Sequence, residues 1–148
     1  MLATAAIAAT AAGAATAAGS RGVASAEEVG ELRGQWIAVR AERDGREATD
    51  IVGHRLVIVG GKFRIQEEEK TIYEGILRLD RSASPVAIDF KHTGHSPAGK
   101  TWLGIYRIDG DTLTICDNAV DPRKGRPTSF DARPDSGLVL VVFKRVLP

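Results

Sequence analysis

The sequence predicts an all-β protein, with eight antiparallel strands joined up-and-down and closed into a barrel. Three observations carry this expectation. Eight short segments between Gly34 and Arg145 place apolar residues at alternate positions, the period of a strand with one buried face. Gly, Asp and Pro punctuation separates them, and no window holds a helical period longer than two turns. The segments also follow one another mostly through short connections, and a sequential sheet that closes on itself leaves no exposed edge.

The strands are expected at 35–43, 54–59, 62–67, 71–80, 86–91, 101–108, 112–117 and 138–145. Residues 27–33 read as a lead-in with one helical turn. Two hairpins assign the faces. Gly60-Gly61 is a two-residue turn, since both glycines accept positive φ. It sets Ile58 opposite Phe63 and Leu56 opposite Ile65 on one face, with Val57–Arg64 and Val59–Lys62 on the other. Asp109-Gly110 is the same signal and pairs Tyr106 with Leu113, Gly104 with Ile115, Arg107 with Thr112 and Leu103 with Cys116. The strand from Leu138 to Arg145 is apolar on both faces until its charged end, so it should be covered on both sides.

A chain of 148 residues suits one domain. Residues 1–26 are almost all Ala, Thr and Gly, with Arg21 their only charge. Val23-Ala24-Ser25-Ala26 before Glu27-Glu28 has the small-x-small form of a signal-peptidase site. The expectation is a signal segment at 1–26 and a barrel domain at 27–148, secreted or periplasmic. A disordered Ala-rich tail on a cytoplasmic protein is the alternative. The segment lacks an early Lys or Arg, and Ala and Thr make too weak an apolar run for a membrane span. Without residues 1–26 the chain has 19 basic and 19 acidic residues, which gives no electrostatic case for nucleic acid. Cys116 is the only cysteine, so stability must come from core burial rather than a disulfide within the chain.

Gly34-Gln35-Trp36 opens the first strand and Lys144-Arg145 closes the last. In lipocalin-like (calycin-like) barrels a G-x-W at this place packs its Trp on a cationic side chain, here Arg145, a contact worth about 0.5–2 kcal/mol. Further segments are Ala41-Glu42-Arg43-Asp44-Gly45, Tyr73-Glu74-Gly75, Gly99-Lys100-Thr101 running into Gly104-Ile105-Tyr106, and Gly110-Asp111-Thr112-Leu113-Thr114-Ile115-Cys116. With Arg126-Pro127-Thr128 and the closing basic pair, the chain resembles, over roughly 31–146, a family of lipocalin-like domains of unknown function abundant in planctomycetes. The resemblance implies the fold and export. It carries over no reaction, ligand or catalytic residue.

The expected inward set is Leu56, Ile58, Phe63, Ile65, Tyr73, Leu77, Phe90, Trp102, Tyr106, Leu113 and Ile115. An eight-stranded barrel is either filled by its own side chains or holds one small ligand, and the sequence leaves both open. Arg40, sharing a face with Trp36 and Ala38, would suit an amphipathic acid; with Tyr73, Trp102 and Tyr106 it forms the candidate ligand site. The long connection before the last strand carries Arg123, Arg126 and Arg133. Arg123 and Arg126 are candidates for a carboxylate or sulfate on a ligand or protein partner.

Other clusters have plainer readings. His92 and His95, with His54 and Asp89, do not define a tetrahedral zinc set and read as solvated loop histidines. Asp109-Gly110-Asp111 is followed by Leu113 and Ile115 where a calcium loop needs oxygen donors. Glu67-Glu68-Glu69-Lys70 is a charged turn. Cys116 reads as a half-buried structural thiol, with an intermolecular disulfide as its one reactive alternative. No catalytic residue, metal or cofactor is expected. The leading expectation is an exported barrel that binds a small apolar or amphipathic molecule; the alternative is a filled barrel acting as a protein-interaction or surface-structural module.

Overall fold

The computed structural model describes residues 24–25, 29–94 and 98–147. The strands are β1 (Gly34–Arg43), β2 (Arg46–Glu47), β3 (Arg55–Val59), β4 (Lys62–Glu67), β5 (Lys70–Asp80), β6 (Ala87–His92), β7 (Thr101–Asp109), β8 (Thr112–Asp117) and β9 (Val139–Arg145). From β3 to β9 each strand pairs with the next, β1 pairs with β3, and β9 returns to β1. The result is a closed, eight-stranded, antiparallel up-and-down barrel, the lipocalin-like form expected. The short β2 folds back on the end of β1 as a side hairpin.

The Gly60-Gly61 hairpin has the expected register, Ile58 opposite Phe63 and Leu56 opposite Ile65. The next hairpin differs. Its turn is Gly110-Asp111, with Gly110 at φ 59°, so Asp109 stays paired with Thr112 and Tyr106 faces Ile115. Arg107 pairs with Thr114 and Gly104 with Asp117. A slip of two residues leaves every side chain on its expected face, because strand faces repeat every second residue. The later turn also places Asp111 where its carbonyl accepts from Arg145 N–H at 2.9 Å.

All eleven expected inward residues belong to one apolar interior, eight of them fully buried; Ile65, Tyr73 and Trp102 are half-buried. Arg40 is the exception to the β1 pattern. Ala38 pairs with Phe143 but Arg40 pairs with Val142, so Val39 forms a bulge. One extra residue reverses the alternation beyond it. Ala41 therefore turns inward, and Arg40 turns out to solvent, where it pairs with Glu42 at 2.6 Å.

The barrel ends differ. At one end Val29 and Leu32 are buried beside the 3-10 turn Gly30–Leu32, and Trp36 Nε1–H donates to Leu32 O at 2.9 Å. Ala24 is buried there too, its N–H donating to Leu77 O at 2.8 Å. The packed part of the chain thus takes in residues before position 27, while most of the segment 1–26 lies outside the described residues.

The wall has a second apolar layer. Outward residues Ile105, Cys116 and Leu140 pack under Phe130, Ala132 and Leu138 of the long connection, and Arg107 lies over the Phe130 ring at 4.5 Å. This layer is why β9 is apolar on both faces. Asn118, fully buried, anchors the start of the connection: its backbone N–H donates to Leu103 O and its Oδ1 accepts from Leu103 N–H at 2.8 Å.

Candidate ligand cavity

Opposite the plugged end the barrel is hollow. A cavity of about 330 Å³ lies between β3–β9 and the 48–54 and 118–120 segments. Leu56, Ile65, Ile115, Val139, Val141 and Phe143 form its aliphatic and Phe wall; Tyr73, Phe90 and Trp102 form an aromatic one. Ile51, His54 and Val120 rim the mouth, together with Arg43 and Asp50, which pair at 2.6 Å. That hydrogen bond to Arg43 holds the Asp50 carboxyl below its usual range.

The aromatic wall follows from strand register. Phe90 on β6 pairs with Trp102 on β7, and Tyr73 meets Trp102 edge-on with centroids 5.0 Å apart. Behind them His92 ends the inward row Ile88–Phe90–His92. It is fully buried, with ring contacts to Phe63, Tyr73 and Trp102 at 5.5, 5.6 and 4.1 Å. Neither ring nitrogen has a hydrogen-bond partner among the described residues. Burial holds its pKa down at about 4, so the imidazole is neutral.

A buried carboxyl group, Asp117, stands in the cavity wall. Asp117 ends the inward row Leu113–Ile115–Asp117 and is 9% exposed. Its Oδ1 accepts from Ala119 N–H at 3.0 Å. Burial pushes its pKa up to about 7, and the Ala119 N–H opposes that rise only in part. An acid poised near neutrality inside an apolar cavity is the most perturbed group facing the lumen.

The expected site residues fall into separate places. Tyr73 and Trp102 line the cavity. Tyr106 is in the barrel core but outside this cavity; it lines a separate pocket near the plugged end with Glu31, Val86 and Ile108. Arg40 is on the outer surface, turned there by the Val39 bulge, so it cannot meet a ligand in the lumen. Gly34, Trp36 and Arg145 come together as expected: Trp36 and Arg145 are register partners, with the guanidinium 4.1 Å from the ring centroid.

The two loop arginines differ from each other. Arg123 is exposed and pairs with Asp121 of its own loop at 3.0 Å. Arg126 reaches back to the wall, donating to Gly104 O at 2.8 Å and lying 2.7 Å from Asp89 Oδ1, off the line of a hydrogen bond. Its guanidinium is therefore occupied within the fold, which removes it as a docking point for an outside carboxylate.

The histidines correct a second expectation. His92 is a core residue rather than a solvated one, His54 is at the cavity mouth, and His95 lies outside the described residues. Asp89 points outward while His92 points inward, so the two cannot share an ion. No cluster of three or more metal-ligating side chains occurs among the described residues. Cys116 is fully rather than half buried beside Ile105 and Leu140, and burial pushes its pKa up to about 11. That placement closes the route to an intermolecular disulfide.

Asp117 and His92 were missed as site residues because each ends an apolar row with a polar type. Extending the alternation one step past Phe90 and past Ile115 finds both. Comparison with protein-family models, with curated proteins and with solved structures found no match for this chain.

Proposed function

We propose that this protein binds a small, largely apolar molecule in the open half of its barrel. The observation that carries the reading is the cavity of about 330 Å³ with Tyr73, Phe90 and Trp102 on one side and aliphatic residues on the other. Pockets of roughly 300 Å³ and above, mostly apolar with few polar groups, are typical small-molecule sites. Asymmetry of the two ends supports it: Val29, Leu32 and Ala24 pack into one end, and the cavity with the aromatic wall lies toward the other. A protein-interaction role is less well supported, since Arg126 is held by Asp89 and Gly104.

The same reading favours binding over reaction. Cys116 is in the outer layer, away from the cavity, and the neutral His92 ring touches aromatic rings rather than a carboxylate. Export, and membership of the lipocalin-like family named above, belong to this proposal and rest on the sequence pattern. The intact mass of secreted protein tests export, and it also tests whether processing spares Ala24.

Solvent extraction of purified protein, followed by mass spectrometry, tests the binding reading. A stoichiometric small molecule is expected, and neutral apolar compounds should raise the melting temperature. A ligand at about 100 times its Kd adds roughly 2.7 kcal/mol. An empty extract together with no thermal shift across such compounds would count against it.

A further inference from the structure

We propose that the molecule held in the cavity carries a protonated amine, received by the Asp117 carboxylate beside the aromatic wall of Tyr73 and Trp102. This deepens the binding reading and rests on it.

Asp117 is nine-tenths buried, and the only hydrogen bond of its carboxyl group among the described residues is the one Oδ1 accepts from Ala119 N–H. The residue lines the cavity. An ionised carboxylate without a cation in an apolar wall is costly unless something compensates it.

The strand beside it is shaped to seat it. Across the ladder from Asp117 stands Gly104. A Cβ at Gly104 would come within 2.8 Å of Cys116 O and 2.9 Å of Asp117 Cβ. With no side chain there, the Asp117 stem and the Cys116 carbonyl approach the β7 backbone closely, and Trp102, two residues back on the same face of β7, lines the cavity with Asp117. The partner on the other side, Val139, is apolar.

Charge balance selects the sign of the guest. The other formally charged groups on the cavity wall, Arg43 and Asp50, neutralise each other at the mouth. His54 is on the rim, and the neutral His92 lies behind Trp102. No arginine or lysine faces Asp117 from β7 or β9. Where Asp117 is ionised, above about pH 7, a carboxylate guest meets repulsion, whereas an ammonium gains a charge-assisted hydrogen bond and the electron-rich faces of aromatic rings. An alkyl or aryl tail then fills the space beside Leu56, Val141 and Phe143.

Three probes that share a phenyl ring test this: 2-phenylethylamine, 2-phenylethanol and 3-phenylpropanoate. Binding to the full chain and to Asp117→Asn is measured by calorimetry at about pH 8.5 and about pH 5.5, with a melting curve showing that the variant is folded. Asparagine keeps the shape and the acceptor for Ala119 N–H.

The amine should bind the wild type on the order of tenfold more tightly than the alcohol at the higher pH. That advantage should shrink at the lower pH, where Asp117 is protonated, and vanish in Asp117→Asn, with alcohol binding unchanged. Equal binding of amine and alcohol, tightest binding of the phenylpropanoate, or an amine preference that survives Asp117→Asn would each overturn the amine inference while leaving the cavity reading intact. Binding of none of the three would defeat the cavity reading, and the inference with it.

Discussion

Arg145 closes the barrel by stacking on Trp36, its register partner across the β1–β9 seam, at 4.1 Å. The same guanidinium donates to Glu31 O at 2.8 Å and Arg33 O at 3.1 Å, and it lies 3.3 Å from Asp111. One side chain thus joins the seam, the plug and the β7–β8 turn. Arg145→Ala should cost about 2–3 kcal/mol by chemical denaturation, through lost stacking and orphaned plug carbonyls. Arg145→Lys keeps the charge but not the planar fork, and should recover less than half of that.

Two buried groups make stability depend on pH in opposite directions. The folded-state pKa of Asp117, about 7, lies above the ordinary aspartate value of 3.8. Its protonated form therefore favours folding, and stability is lost as pH rises from about 3.8 through 7, by on the order of 4 kcal/mol. Asp117→Asn cannot ionise. It should be more stable than the wild type above pH 7 and about equal to it near pH 4 in urea titrations.

His92 acts the other way, with a folded-state pKa of about 4 against the ordinary histidine value of 6.5. Its contribution is full above 6.5 and is lost as pH falls through 4. His92→Phe puts a ring that cannot titrate among Phe63, Tyr73 and Trp102 and should remove that acid sensitivity. The two effects overlap between about pH 4 and 6.5 and offset each other in the wild type. Each single variant should expose the slope of the other residue; identical pH profiles for all three proteins would contradict both assignments.

Arg126 and Arg123 should separate cleanly. Arg126→Ala leaves the buried Asp89 without its cation and frees Gly104 O, at a cost of about 3 kcal/mol. The connection over β7–β9 should then become susceptible to limited proteolysis. Arg123→Ala should leave both measurements unchanged.

Cys116 should resist thiol reagents in the native protein and react at the rate of unfolding. Fast stoichiometric labelling under native conditions would mean that the outer layer of Phe130, Ala132 and Leu138 opens readily.

Much of this barrel was legible in the sequence because it depends on alternation and on short turns. The interior set, from Leu56 to Ile115, required only parity, which a two-residue slip at Gly110 leaves untouched. The bulge at Val39 was hidden because Val39 and Ala41 are both apolar, so either parity looked acceptable through that stretch. An arginine in an inward slot at position 40 was its one sign. Asp117 and His92 lay at strand ends, where chain pattern does not say whether a polar residue meets solvent or closes a lumen. How far the Val29–Leu32 plug fills the barrel, and so leaves the far end hollow, depends on packing between elements distant in the chain.

Whether the hollow end is a binding site can be decided by calorimetric titration of one neutral apolar probe, 2-phenylethanol, into the wild type and Val141→Trp. The indole would occupy the cavity while the outer surface stays unchanged. Saturable binding of one molecule per wild-type chain, abolished in a folded Val141→Trp, is the expected result. No saturable binding to the wild type, or binding that persists in the filled barrel, would contradict it.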